Sequence, residues 1–251
     1  MARQTLFLGR LFDIRVGVHI SWLAVYAFMT IALARALGML PASEAYALGA
    51  LCALALFAGV VAHELAHALV ARRFGVRTSA ITLFLFGGVA TLEREPSSPK
   101  ADALVALAGP AMSAALAVVA LAAVAVLDRY LPDSQLHDAL GLLGTYVVLA
   151  NAVLAAFNVL PAYPMDGGRV LRAVLWHRSH DRDGATNAAS RVGIGFALLF
   201  VAAGVFVVAA THDLMYGWYV LLGAFLLRQG ASQERASRRA VPLTETTAVV
   251  A

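Results

Sequence analysis

Five long apolar runs free of Lys, Arg, Asp and Glu leave this chain few folds to choose from. They cover residues 16–34, 45–62, 103–127, 139–165 and 192–211. Each is close to the roughly 20 residues that a helix needs to cross the hydrocarbon core of a bilayer. A sixth run, 214–227, is shorter and opens with Tyr216, Trp218 and Tyr219, an aromatic cluster of the kind found at membrane–water interfaces. Composition agrees: 61% of the 251 residues are hydrophobic and 14% are charged, against roughly 45–50% apolar in soluble domains. One soluble domain is therefore excluded. The expected fold is an all-α polytopic membrane protein with about six transmembrane helices and a small β element at the cytoplasmic face.

The cationic residues orient these spans. With the N-terminus inside, all but Arg35 and Arg129 of the 19 Lys and Arg residues fall on inner segments. The positive-inside rule then places both termini in the cytoplasm. Arg10, Asp13 and Arg15 precede a first run long enough to span, so no cleavable signal peptide is expected. The lone cysteine, Cys52, excludes an intramolecular disulfide and a Cys-based zinc finger; it reads as a small packing residue. The expected organisation is a membrane core over 1–228 and a polar, partly disordered cytoplasmic tail over 229–251.

Between the spans two stretches have strand character. Residues 12–18 alternate apolar and polar, which suggests a short strand that His19 closes. His19 alone reads as an interfacial residue, since a metal site needs partners. The stretch 76–94 is β-branched and aromatic around Gly87 and Gly88, and reads as a hairpin with a Gly turn. Its edge, from about Leu83 to Val89, is a place where an unwound substrate segment could pair by β-addition.

One span carries ionisable groups. "HELAH", residues 63–67, puts His63 and His67 at i and i+4, on one face of a helix. Two such imidazoles can share a zinc ion, and Glu64 beside them is then placed as the general base for an attacking water. Ionisable groups inside a span cost at least about 2.5 kcal/mol each on insertion scales, which favours a functional reading. The competing readings are a polar face packed on other helices and a proton path in a transporter. Arg72 and Arg73 mark the inner interface, and His63 precedes Arg72 by nine residues, so His63 lies about 13 Å into the bilayer.

A catalytic zinc usually takes three protein ligands and leaves one position open. The candidate for the third lies in "NVLPAYPMDGGRVLR", residues 158–172. Pro161 and Pro164 interrupt any helix there, and Gly167 and Gly168 allow close backbone approach. Asp166 reads as the only other carboxylate beside the apolar spans and away from the loops. The alternative role for Asp166 is to N-cap the helix that follows. The side-chain amide of Asn158, at this break, could donate to a developing oxyanion or make an ordinary inter-helix hydrogen bond.

The chain resembles the site-2 proteases, zinc metalloproteases that cut peptide bonds inside membranes. "HELAH" (63–67), "LFLFGGVATLER" (83–94), "LAGPAMS" (107–113) and "FNVLPAYPMDGGRVLRA" (157–173) carry the resemblance, in order, from about Phe7 to Arg228. The resemblance implies one zinc per chain on His63, His67 and Asp166, Glu64 as the base, and Asn158 holding substrate or oxyanion. It implies regulated intramembrane proteolysis of a transmembrane substrate, such as an anti-sigma factor or a remnant signal peptide, in a bacterial or archaeal cell membrane. Two positions depart from the family pattern. Ala66 replaces a common Gly, which tightens packing, and Ser113 replaces an Asn, which puts the role of that amide in doubt. The layout expected is a compact form without CBS or PDZ modules.

Two other classes remain open on sequence. A metal-ion transporter would need polar or His-lined paths on both sides of the membrane, and the outer halves of these spans hold almost none. A non-catalytic scaffold would lack the base or a ligand, and all are present.

Overall fold

The computed structural model describes residues 5–84, 87–212, 217, 220, 221 and 223–228. In chain order the elements are β1 (Thr5–Leu11), β2 (Ile14–His19), α1 (Ile20–Ala36), α2 (Ala42–Arg73), β3 (Thr78–Phe84), β4 (Gly87–Leu92), α3 (Pro99–Tyr130), α4 (Gln135–Val159), α5 (Asp166–Ser179) and α6 (Arg182–Thr211). Four helices, α2, α3, α4 and α6, are long and apolar enough to cross a membrane. The six spans expected from sequence reduce to these four among the described residues. The first apolar run is shared between β2 and the 17-residue α1, because Val16 and Val18 are buried by sheet pairing before the helix starts. In the sixth run residues 214–216, 218, 219 and 222 lie outside the described residues, as does the tail from 229 on.

The fourth run also ends early. α4 stops at Val159 and α5 begins at Asp166, since Pro161 and Pro164 cannot supply the backbone donors of a continuing helix. By contrast α2 runs 32 residues, about 48 Å, well beyond the roughly 30 Å hydrocarbon layer. Of its apolar window 44% is buried, against 11%, 6% and 17% for α3, α4 and α6. The helix that carries the two histidines thus has the most buried apolar window of the four.

The chain divides into two compact units: residues up to 96 with 107–157, and 97–106 with the segment from 158 onward. In the first, the sheet has the order β1-β2-β3-β4. β1 and β2 form an antiparallel hairpin, β2 and β3 pair in parallel, and β3 and β4 form a second antiparallel hairpin. β1 was not expected from sequence. It pairs through a two-residue turn at Phe12 and Asp13, both with positive φ (52° and 68°), the requirement of a type I′ hairpin turn. In the second hairpin Gly87 and Gly88 are not the turn; they pair with Phe84 and Leu83, and residues 85–86 lie outside the described residues. Leu83 is also paired to Val18, so β3 is interior, and β4 alone of that hairpin is an edge.

A core of Val18, Phe57, Val60 and Leu83 joins this sheet to α2. Trp22 stacks on Tyr26, with ring centroids 5.2 Å apart, and meets Phe57 edge-on at 4.9 Å, which fixes α1 against α2. His19 has a local structural role that the sequence reading did not name. It N-caps α1, its Nδ1 accepting from the Ser21 amide at 3.2 Å. Cys52 is buried and free, a packing residue. In the second unit α5 packs on α6, and Asp102, in the first turn of α3, meets two arginines of α5.

Candidate metal centre

The i, i+4 spacing on α2 brings His63 and His67 together. Their ring centroids are 4.8 Å apart with planes at 77°, and both residues are buried, at 3% and 5% exposure. Helix α3 supplies the space in front of them. A Cβ built on Gly109 would collide with Nε2 of both imidazoles, so the missing side chain leaves a gap onto which the two nitrogens converge. Ser113, one turn further along α3, is fully buried with its Oγ 2.9 Å from Nδ1 of His63. When that Nδ1–H donates to the hydroxyl, Nε2 keeps a lone pair aimed into the gap, the tautomer a metal ligand needs. Two converging imidazole nitrogens, one with a hydroxyl behind its ring, fit a divalent transition metal.

Glu64 follows His63 and is half-buried. The edge strand β4 lies against it: a Cβ at Gly88 would sit 2.7 Å from Cγ of Glu64. Only a residue without a side chain lets the strand come this near the carboxylate.

In the second unit Asn158 occupies the last turn of α4 and is half-buried. Asp166 is buried at the start of α5. The capping alternative does not hold, because the N-cap is Met165 and no side-chain capping bond is made. The expected close backbone approach at the glycines is found: a Cβ at Gly167 would strike the carbonyls of Val159 and Leu160.

Asp166 is not the only carboxylate beside the spans, as the sequence reading had it. Asp102 is fully buried and receives both arms of the Arg172 guanidinium, Nε at 2.9 Å and Nη2 at 2.8 Å. Arg169 donates to the same carboxylate at 3.3 Å and lies 3.9 Å from the Asp166 carboxylate. Sequence reasoning passed over Asp102 because it stands one residue before the apolar run and beside a polar loop. The usable signal was Arg169 and Arg172 at i and i+3 on a helix that also carries Asp166: cations there need a counter-charge.

Sequence reasoning also undervalued Ser113 and Gly109. Ser113 registered only as a departure from a pattern, yet its Oγ lies 2.9 Å behind the His63 imidazole.

Comparison with known proteins supports the same region. The model of peptidase family M50 matches residues 51–142 and 133–201. A protein of Synechocystis sp. named as a zinc metalloprotease is 37% identical over 231 residues, covering 90% of this chain and 59% of its own length. Rip3 of Mycobacterium tuberculosis, named likewise, is 38% identical over 237 residues, covering 92% of this chain and 59% of its own. The chain thus spans about three-fifths of these relatives' length. The solved structure of a site-2 protease from Methanocaldococcus jannaschii superposes with a TM-score of 0.63 at 27% identity, covering 92% of this chain and 95% of that one. With the histidine helix and the glycine-lined gap inside the matched region, the chain belongs to peptidase family M50, the site-2 protease family.

Proposed function

We propose that the chain is a zinc-dependent intramembrane endopeptidase, which hydrolyses a peptide bond in or near the transmembrane helix of a substrate protein. The observation that carries this reading is the convergence of the His63 and His67 Nε2 atoms on the gap at Gly109, with Glu64 adjacent in sequence. His63, His67 and Asp166 would hold the metal, a His₂-carboxylate set of the kind found at catalytic zinc sites with one open position. Zinc, when bound, acidifies water and polarises a carbonyl.

The chain's own groups do the rest. The Glu64 carboxylate takes a proton from the attacking water as the oxygen bonds to the scissile carbon. It returns that proton to the departing nitrogen as the C–N bond breaks, leaving one carboxyl and one amine terminus. The Asn158 amide donates to the carbonyl oxygen as charge develops on it. His63 lies about 13 Å and His67 about 7.5 Å from the Arg72 level along the helix, so water needs to penetrate only the inner leaflet. This assumes the orientation the arginines favour, with both termini cytoplasmic. Transmembrane proteins such as anti-sigma factors or remnant signal peptides are the substrate class that the family resemblance offers.

The test is cleavage of a transmembrane substrate by protein reconstituted in vesicles, with and without a zinc chelator. Glu64→Gln should keep its zinc and lose about 10²- to 10⁴-fold in rate, the share general-base catalysis supplies. Turnover near the wild-type rate by that variant, or by chelated protein with no residual metal, would sink the mechanism.

A further inference from the structure

Outside the metal region, the first unit has a cavity of about 870 Å³ between the end of α2 and the sheet. Four arginines line it, from three elements and a loop: Arg10 of β1, Arg15 of β2, Arg72 at the end of α2 and Arg77 just before β3. Two acids, Asp13 and Glu93, share the wall, which leaves a surplus of two positive charges. None of the ion pairs among the described residues uses these four arginines. Arg72 reaches only the Phe12 carbonyl, at 3.5 Å.

The sheet register adds to this charge. Arg10 and Arg15 are direct cross-strand partners in the antiparallel hairpin. Like charges so placed repel, and an anion between them reverses the sign of that interaction. The tip of the same hairpin is unusual. Phe12 lines the cavity, holds φ at 52° and is 63% exposed. Large side chains seldom adopt this backbone region. Leu8 and Leu11 of β1 are exposed as well. Apolar side chains beside a basic concavity are the composition of a membrane-surface contact.

The depth fits too. Along α2 the cavity reaches from Ala68 to Arg72, about 6 Å of helix. The headgroup layer on each side of a bilayer is about 5–7 Å thick, from the difference between its hydrocarbon and total thickness. We propose that this cavity binds the phosphate of an anionic phospholipid headgroup and thereby seats the β1–β2 hairpin on the membrane surface. The inference goes beyond the protease reading and does not depend on it.

The ordinary explanation of the arginines is orientation of the spans, which requires charge on that side but no particular site. The test separates the two. The full chain, delipidated in neutral detergent, is titrated with phosphatidylglycerol and bound lipid is counted by native mass spectrometry. The comparison is with Arg10→Gln/Arg15→Gln/Arg77→Gln, which leaves Arg72 and Arg73 as topology anchors. A basic residue near anionic lipid contributes about fivefold in affinity, so the triple variant should bind phosphatidylglycerol more than tenfold more weakly. Phosphatidylcholine should bind both proteins equally poorly, and inorganic phosphate at the same concentration should not displace the lipid. The single variant Arg77→Gln should lose about fivefold, which keeps the test alive if the triple variant does not fold. Equal phosphatidylglycerol binding by the variants and the wild type would overturn the site. Displacement by equimolar inorganic phosphate would overturn the lipid assignment.

Discussion

The His63–His67 segment of α2 and the segment from Asn158 to Arg172 each present candidate ligands, but they place them by different physics. On α2 the helix period does the work. Residues four apart share a face, and the two imidazoles meet with centroids 4.8 Å apart whatever else surrounds them. From Asn158 to Arg172 no period operates, because Pro161 and Pro164 interrupt the helix and α5 starts afresh at Asp166. There the α5 helix is held by the buried Asp102 and its two arginines. A ligand pair set by local periodicity keeps its spacing when distant residues change. A ligand set by a buried ion cluster depends on them.

That contrast can be broken most severely at the ligands. Asp166→Ala should empty the metal site as fully as His63→Ala, with zinc per chain by elemental analysis falling to background in both. Full occupancy in Asp166→Ala would remove Asp166 from the ligand set. Next is Gly109→Ala. Alanine is favoured over glycine in a helix by about 1 kcal/mol, which offsets part of the roughly 1–3 kcal/mol that overpacking against the two buried imidazoles costs. The added methyl would occupy the gap in front of both Nε2 atoms. Most of the zinc should be lost with at most a modest loss of thermal stability; a folded variant with normal zinc content would show that the gap is not the metal position.

Asp102→Ala probes the other region. Removing one partner from a buried ion pair costs about 3–5 kcal/mol, because the remaining charge is left uncompensated. Chemical unfolding in detergent micelles should show a loss of that order, with Asp102→Asn recovering part of it. A loss below about 1 kcal/mol would mean that α5 is anchored by something else. The smallest effect is expected at Ser113→Ala. Loss of an outer partner typically weakens metal binding 10- to 100-fold, and competition with a chromogenic chelator measures it. Unchanged affinity would make the 2.9 Å contact to His63 incidental to metal binding.

Much of the site was legible because its signals are local. Charged and imidazole groups inside an apolar run stand out, and so does an Asp followed by two glycines after paired prolines. Strand character around 12–18 and 76–94 was legible for the same reason, from alternation and β-branching. The number of spans was not, since an apolar run can be buried by a sheet as readily as by lipid; Val16 and Val18 took the first course. Strand β1 was missed because its Leu6, Phe7 and Leu8 are exposed and do not alternate.

What the sequence determined by itself is the membrane class of the fold and the candidate groups for zinc chemistry, because hydrophobic length and helix period act between near neighbours. Only the tertiary structure decided which silent residues serve those groups. Gly109 matters for an atom it lacks, Gly88 for the nearness of β4 to Glu64, Ser113 for one hydroxyl behind an imidazole 50 positions away, and Asp102 for arginines nearly 70 positions on. Such roles are set by packing at contact distance, where a single methyl group decides the outcome, and contact distance between remote positions is not written in any local pattern.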